Sequence, residues 1–135
     1  MELRDIVKSS RPPVKISPTA TVGDALMSMM ENKTDYLLID RMGPNDAYGI
    51  VTRWDIVEGA IANGVDLGKA PILDHSRKPL ATLNNLDLDL RWVAKKMSNE
   101  NVSKIAVFDR EEFLGFISDV DVMKAAAKGK KEAKE

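Results

Sequence analysis

The chain repeats itself. Gly49-Ile50-Val51-Thr52-Arg53-Trp54-Asp55 returns 66 residues later as Gly115-Phe116-Ile117-Ser118-Asp119-Val120-Asp121. Ser10-Arg11-Pro12-Pro13-Val14 returns at the same shift as Ser76-Arg77-Lys78-Pro79-Leu80. Between these anchors Met29 aligns with Met97 and Asp40 with Asp109, so short insertions and deletions separate the copies. A shared offset at both ends implies one supersecondary unit used twice, neither copy closing a core alone.

Hydrophobic spacing alternates between helical and extended periods within each copy. Val22, Ala25, Leu26, Met29 and Met30 predict an amphipathic helix over 21–32, with Thr21 near its N-cap. Leu90, Val93, Ala94 and Met97 repeat the stripe behind Asp89. Tyr36 to Ile39 and Ile105 to Phe108 predict strands that end at Asp40 and Asp109. Tyr48 to Val51 and Phe113 to Ile117 predict their partners, with Glu111-Glu112 at the second hairpin. Ile56, Val57, Ala60 and Ile61 match Val122, Met123, Ala126 and Ala127 as a closing helix, the first ending at Asn63-Gly64.

The fold expected is therefore α/β (α+β), two β-α-β-β-α repeats. Repeat 1 spans 1–64, with a lead-in at 3–8. Repeat 2 spans 65–127, with a linker at 65–79 and the mirrored lead-in at 70–75. The Lys-rich segment 128–135 is expected to be a disordered tail.

Composition narrows the function classes. Twenty basic and twenty-one acidic residues leave a net charge of -1, so no global field draws the chain to nucleic acid or anionic membrane. Without cysteine there is no disulfide, thiolate metal site or thiol nucleophile. No apolar run suits a signal peptide or a bilayer span, which makes a cytoplasmic setting the expectation. The single histidine, His75, has no HxxxH partner, so no metal site is expected and a surface or cap role is. Neither GxxxxGK[ST] nor GxGxxG occurs, and no nucleophile elbow presents a serine, so no enzyme activity is expected.

Val14 to Pro18, Ala20-Thr21-Val22-Gly23-Asp24-Ala25-Leu26 and the duplicated glycine-apolar-apolar-[Ser/Thr]-x-x-Asp together resemble the cystathionine β-synthase (CBS) domain pair, nearly to the tail. The resemblance implies a pseudo-two-fold pair with two clefts. In many members these bind AMP, ADP, ATP or S-adenosylmethionine and relay binding to an attached protein. It also implies a homodimer. No enzyme or transporter accompanies the pair within these residues, so any effect is expected on a separate, unknown partner.

The duplicated motif has two readings. In the bland one, Thr52-x-x-Asp55 and Ser118-x-x-Asp121 are helix capping boxes, although the usual box carries Glu or Gln where both copies have Asp. In the functional one, a helix N-terminus attracts phosphate and the Asp offers two acceptor oxygens to a ribose diol. Both can hold.

The two sites are not expected to be equal. Lys104 is the phosphate candidate of the second copy, where the first has Asp35-Tyr36; Arg53 is a possible compensation or a solvated residue. By resemblance, Ser17-Pro18-Thr19 and Asn84-Asn85 line the base, Ser17 and Thr19 being the more typical, and each cleft borrows residues from the neighbouring copy. No cofactor is required, and Mg²⁺ is expected only with ATP. Asp87-x-Asp89 and Asp119-x-Asp121 read as dipole partners rather than metal ligands. Trp54 and Trp92 lie off the apolar stripes, serving an interface or packing under the lead-in. The alternative function is a ligand-free interaction scaffold; a nucleic-acid binder ranks below both.

Overall fold

Each repeat supplies one three-stranded sheet, ordered β1-β2-β3 and β4-β5-β6. The computed structural model describes residues 2–7 and 12–133. Lys8 of the lead-in, Ser10 and Arg11 of the first motif and Lys134 and Glu135 of the tail lie outside the described residues. The elements are α1 (Leu3–Val7), β1 (Lys15–Ile16), α2 (Val22–Asn32), β2 (Tyr36–Ile39), β3 (Gly49–Thr52), a π-helix (Asp55–Ile61), a 3₁₀ turn (Ile72–His75), β4 (Thr82–Leu83), α3 (Leu90–Glu100), β5 (Lys104–Asp109), β6 (Glu112–Ser118) and α4 (Asp119–Ala133).

The chain folds into two compact units, Pro13–Leu80 on one hand and Met1–Pro12 with Ala81–Glu135 on the other. In the Pro13–Leu80 unit β1 runs parallel to β2, which a crossover helix (α2) allows, and β3 returns antiparallel. Thr21 caps α2: its Oγ1 accepts from the Asp24 N–H at 3.1 Å, and Asp24 Oδ2 accepts from the Thr21 N–H at 3.0 Å. Gly23 donates to the Leu67 carbonyl at 2.8 Å, an approach so close that a Cβ would stand 2.9 Å from that oxygen. Val22, Ala25, Met29, Leu37, Ile39, Val51, Ile56, Ala60 and Ile72 form the core. Leu38 and Ile50 are also buried, on the opposite strand face, which is why β2 reads as a continuous apolar run.

The second unit repeats the plan with β4, α3, β5 and β6. Its core of Leu3, Ile6, Val7, Val93, Met97, Ile105, Val107 and Ile117 includes all three buried residues of α1. α1 is stitched down by Leu3 N–H to Leu88 O at 2.8 Å and Arg4 N–H to Leu86 O at 3.0 Å. Each lead-in thus completes the unit built on the other repeat's sheet, since the 3₁₀ turn of 72–75 packs its Ile72 into the first core. The spatial division cuts across the sequence division at 64/65, and the whole of the expected linker, 65–79, belongs to the Pro13–Leu80 unit.

α4 runs from Asp119 through Ala133. The run from Ala125 is mostly Ala, Lys and Glu, whose helix propensities are among the highest, so low complexity here favours a helix.

The loop between β2 and β3 is tied by Asp46, whose Oδ2 lies 2.6 Å from Lys78 Nζ and accepts from the Met42 N–H at 2.8 Å. These bonds, Lys78 foremost, hold the Asp46 carboxyl below its ordinary range. Stability from a depressed carboxyl is present above the unfolded pKa of about 3.9 and is lost as pH falls through the folded value. Asp46→Asn is therefore expected to melt below the native protein at pH 7, with the gap closing below about pH 4. A gap independent of pH in circular-dichroism melts would contradict this.

Candidate functional site

Both copies of the duplicated motif sit where the last strand of a sheet turns into a helix. At the first corner the Thr52 N–H donates to Asp55 Oδ2 at 2.8 Å, and Thr52 Oγ1 lies 3.0 Å from the same oxygen. The Asp55 N–H returns to Thr52 Oγ1 at 3.4 Å. At the second, Ser118 N–H donates to Asp121 Oδ2 at 2.7 Å and Asp121 N–H to Ser118 Oγ at 3.2 Å. The backbone agrees too: Arg53 N–H reaches Asp35 O, and Asp119 N–H reaches Ser103 O, both at 2.9 Å.

Each motif is therefore a capping box, and Thr21 with Asp24 is a third of the same kind. Aspartate in place of Glu or Gln is thus a capping choice of this chain and does not by itself mark a ligand site. The boxes use only Oδ2, however. The Oδ1 atoms of Asp55 and Asp121 accept no hydrogen bond among the described residues, and the four motif residues are all half-buried. A rigid acid with one spare oxygen beside helix-start amides is suited to accept a hydroxyl.

Register places Lys104 directly across from Ser118, and Tyr36 across from Thr52. Cross-strand partners have Cβ atoms about 5 Å apart, so Lys104 brings a cation to the second corner and Tyr36 an aromatic to the first. Arg53 is exposed and has no ion pair among the described residues.

Ser17 and Thr19 are not brought to Thr52 within their unit. Ile16 pairs with Ile39 while Thr52 pairs with Tyr36, the far end of β2, roughly 10 Å of strand away. The two hydroxyls meet each other at 2.8 Å and shape an exposed turn after β1. Asn84 and Asn85 occupy the equivalent place after β4, where Asn85 Oδ1 accepts from the Asp87 N–H at 3.1 Å. Asp87 pairs with Arg4 at 2.5 Å, which raises the Arg4 pKa, and Asp89 begins α3.

The structure adds residues that the motif did not announce. An open groove of about 480 Å³ beside Asp55 is lined by Trp54, Glu58, Gly59, Asp74, His75 and Ser76. Glu58 follows Asp55 at helical spacing, but Asp74 to Ser76 arrive from the 3₁₀ turn, and no local signal links them. Three carboxylates without a Lys or Arg make this groove unfavourable for phosphate. Trp54 and Trp92 are exposed, at 64% and 48%, so packing under the lead-in is not their role. No cluster of three His, Cys, Asp or Glu suited to a metal occurs, and no helix is long and apolar enough to cross a membrane, among the described residues.

Comparison with known proteins bears on these corners. The CBS domain profile matches twice, over residues 3–61 and 72–128, each match opening at a lead-in and reaching past a corner. No curated protein matches the chain. Among solved structures, the hexameric CBS-CP12 protein from bloom-forming cyanobacteria is 29% identical with a TM-score of 0.81, covering 91% of this chain and 70% of that one. A putative signal-transduction protein with CBS domains from Burkholderia ambifaria is 18% identical at a TM-score of 0.80, covering 93% of both chains. The CBS domain protein PAE2072 from Pyrobaculum aerophilum, solved in complex with AMP, is 22% identical at a TM-score of 0.72, covering 90% of this chain and 89% of that one. With its sheets, its lead-ins and its duplicated corner all matched, the chain belongs to the CBS domain family as a tandem pair.

Proposed function

We propose that this protein is a regulatory module that binds an adenine nucleotide and passes its occupancy to a separate protein. The observation that carries the reading is the duplicated corner, with a half-buried carboxylate whose second oxygen is spare. Family membership and the AMP complex of a fold neighbour support the ligand class. Thr52 with Asp55, and Ser118 with Asp121, are assigned to the ribose; Lys104 is assigned to phosphate at the second corner, with Arg53 as its weaker analogue at the first. Ser17 and Thr19 are assigned to the base by family resemblance. The ligand is AMP, ADP, ATP or S-adenosylmethionine, with Mg²⁺ entering only alongside ATP.

Self-association belongs to the same reading. Val57, Met123 and both tryptophans are exposed, and one fold neighbour is hexameric.

Thermal melts with each of the four ligands test the proposal. A ligand at 100 times its Kd is expected to add about 2.7 kcal/mol of stability, and at one shared concentration AMP, ADP or ATP is expected to shift the midpoint further than adenosine because Lys104 meets phosphate. Midpoints unmoved by all four would favour the second reading, an interaction scaffold, for which the occupied capping boxes speak.

A further inference from the structure

The closing helix of the first repeat ends at the only Asn-Gly pair in the chain. As a helix end the pair is ordinary: Gly64 takes φ 67°, which suits glycine, and Asn63 Nδ2 donates to the Gly59 carbonyl at 2.8 Å. Its chemistry is less ordinary. A side chain on the residue after an asparagine shields that residue's backbone nitrogen, but Gly64 has none. Even a Cβ built there would meet nothing within 4 Å. The Gly64 nitrogen is thus open to the neighbouring side-chain amide. Asn63 and Gly64 are both exposed, as are Ile61 and Ala62 before them.

We propose that Asn63 is a site of spontaneous deamidation, held back by the closed end of the 55–61 helix. The Gly64 nitrogen attacks Cγ of Asn63 and a C–N bond forms. The Gly64 amide proton leaves with the side-chain nitrogen as ammonia, which closes a five-membered succinimide. Water then opens the ring at either carbonyl, giving aspartate or, with the backbone rerouted through the side-chain carbon, isoaspartate. Water enters, ammonia leaves, and no oxidant or reductant is needed. In the closed state both reacting groups are engaged, Asn63 Nδ2 with Gly59 O and the Gly64 N–H with Ile61 O at 3.0 Å. Opening of the exposed last turn releases them together. The product differs in two ways: the donor to Gly59 O is gone, and a carboxylate stands at the negative end of the helix, where an anion is unfavourable.

Prolonged incubation of the full chain in mildly alkaline buffer tests this, read by isoelectric focusing and peptide mapping. A more acidic species is expected, its conversion mapped to Asn63 ahead of the six other asparagines, each of which precedes a residue with a side chain. Asn63→Gln, which would have to close a larger ring, is expected to stay unconverted over the same time. Two ordinary hydrogen bonds hold the closed state, so the chain unfolded in urea is expected to react at least roughly ten-fold faster. Asn63→Asp, standing for the product, is expected to lower the melting midpoint by about 1–5 °C. Conversion no faster at Asn63 than at the other asparagines would overturn the site. Equal rates in buffer and in urea would overturn the restraint by the helix end, and an unmoved midpoint for Asn63→Asp would overturn its structural consequence.

Discussion

Leu3→Ala is expected to cost the protein about 2–5 kcal/mol, the range for a fully buried leucine cut to alanine. Leu3 has no exposed surface and packs among Val93, Ile105 and Ile117, almost a full chain length away in sequence. The truncation removes contacts that α1 makes with β6 and α4, and the cavity it leaves is walled by strands that relax little. The loss is thus expected to fall on the unit carrying the second repeat, although the change lies at the head of the first. Chemical denaturation gives the cost, and hydrogen exchange gives its place: amides of β5 and β6 are expected to lose protection before those of β2 and β3. A cost below about 1 kcal/mol, the size of a typical surface change, would show that α1 is not part of that core.

The second large effect separates capping from binding at Asp121. Asp121→Ala deletes both roles: the acceptor for the Ser118 N–H is lost, at about 1 kcal/mol of stability, and so is the spare oxygen. Asp121→Asn keeps an acceptor for that N–H, so its stability is expected to stay within about 0.5 kcal/mol of the native protein. Its affinity is not expected to survive. A hydrogen bond to a charged acceptor contributes about 1.5–3 kcal/mol, so losing the charge weakens AMP by roughly ten-fold or more. Titration calorimetry beside thermal melts reads both quantities. An asparagine variant that is stable and binds AMP with unchanged affinity would leave Asp121 a helix cap and nothing more.

Much of this was legible in the chain because the signals were local. Thr21, with an apolar stripe behind it, predicts α2 to within one residue, and Tyr36 to Ile39 predict β2 in full. The duplicated corner was visible because a strand, a hydroxyl and an acid stand within seven positions. What escaped depends on long-range packing. The exchange of lead-ins is invisible in a repeat, since α1 has no local reason to prefer β6 over β3. The acid groove escaped because Asp74 joins Glu58 only once the 3₁₀ turn has docked. The segment after Ala127 is ambiguous for another reason: runs of Ala, Lys and Glu suit a solvated coil and a helix alike, and only continuity with α4 extends the helix to Ala133. An Asp at the fourth position of the motif is a poor ligand signal in this chain, because Asp24 acts as a cap with Thr21 in the same way.

The most direct measurement is a co-crystal of the full chain with AMP. The account predicts a ribose whose hydroxyls sit within hydrogen-bond distance of the spare Oδ1 of Asp121, with Lys104 Nζ on the phosphate. Clear density for AMP elsewhere, with both acids bonded only to their own strand-end amides, would contradict it.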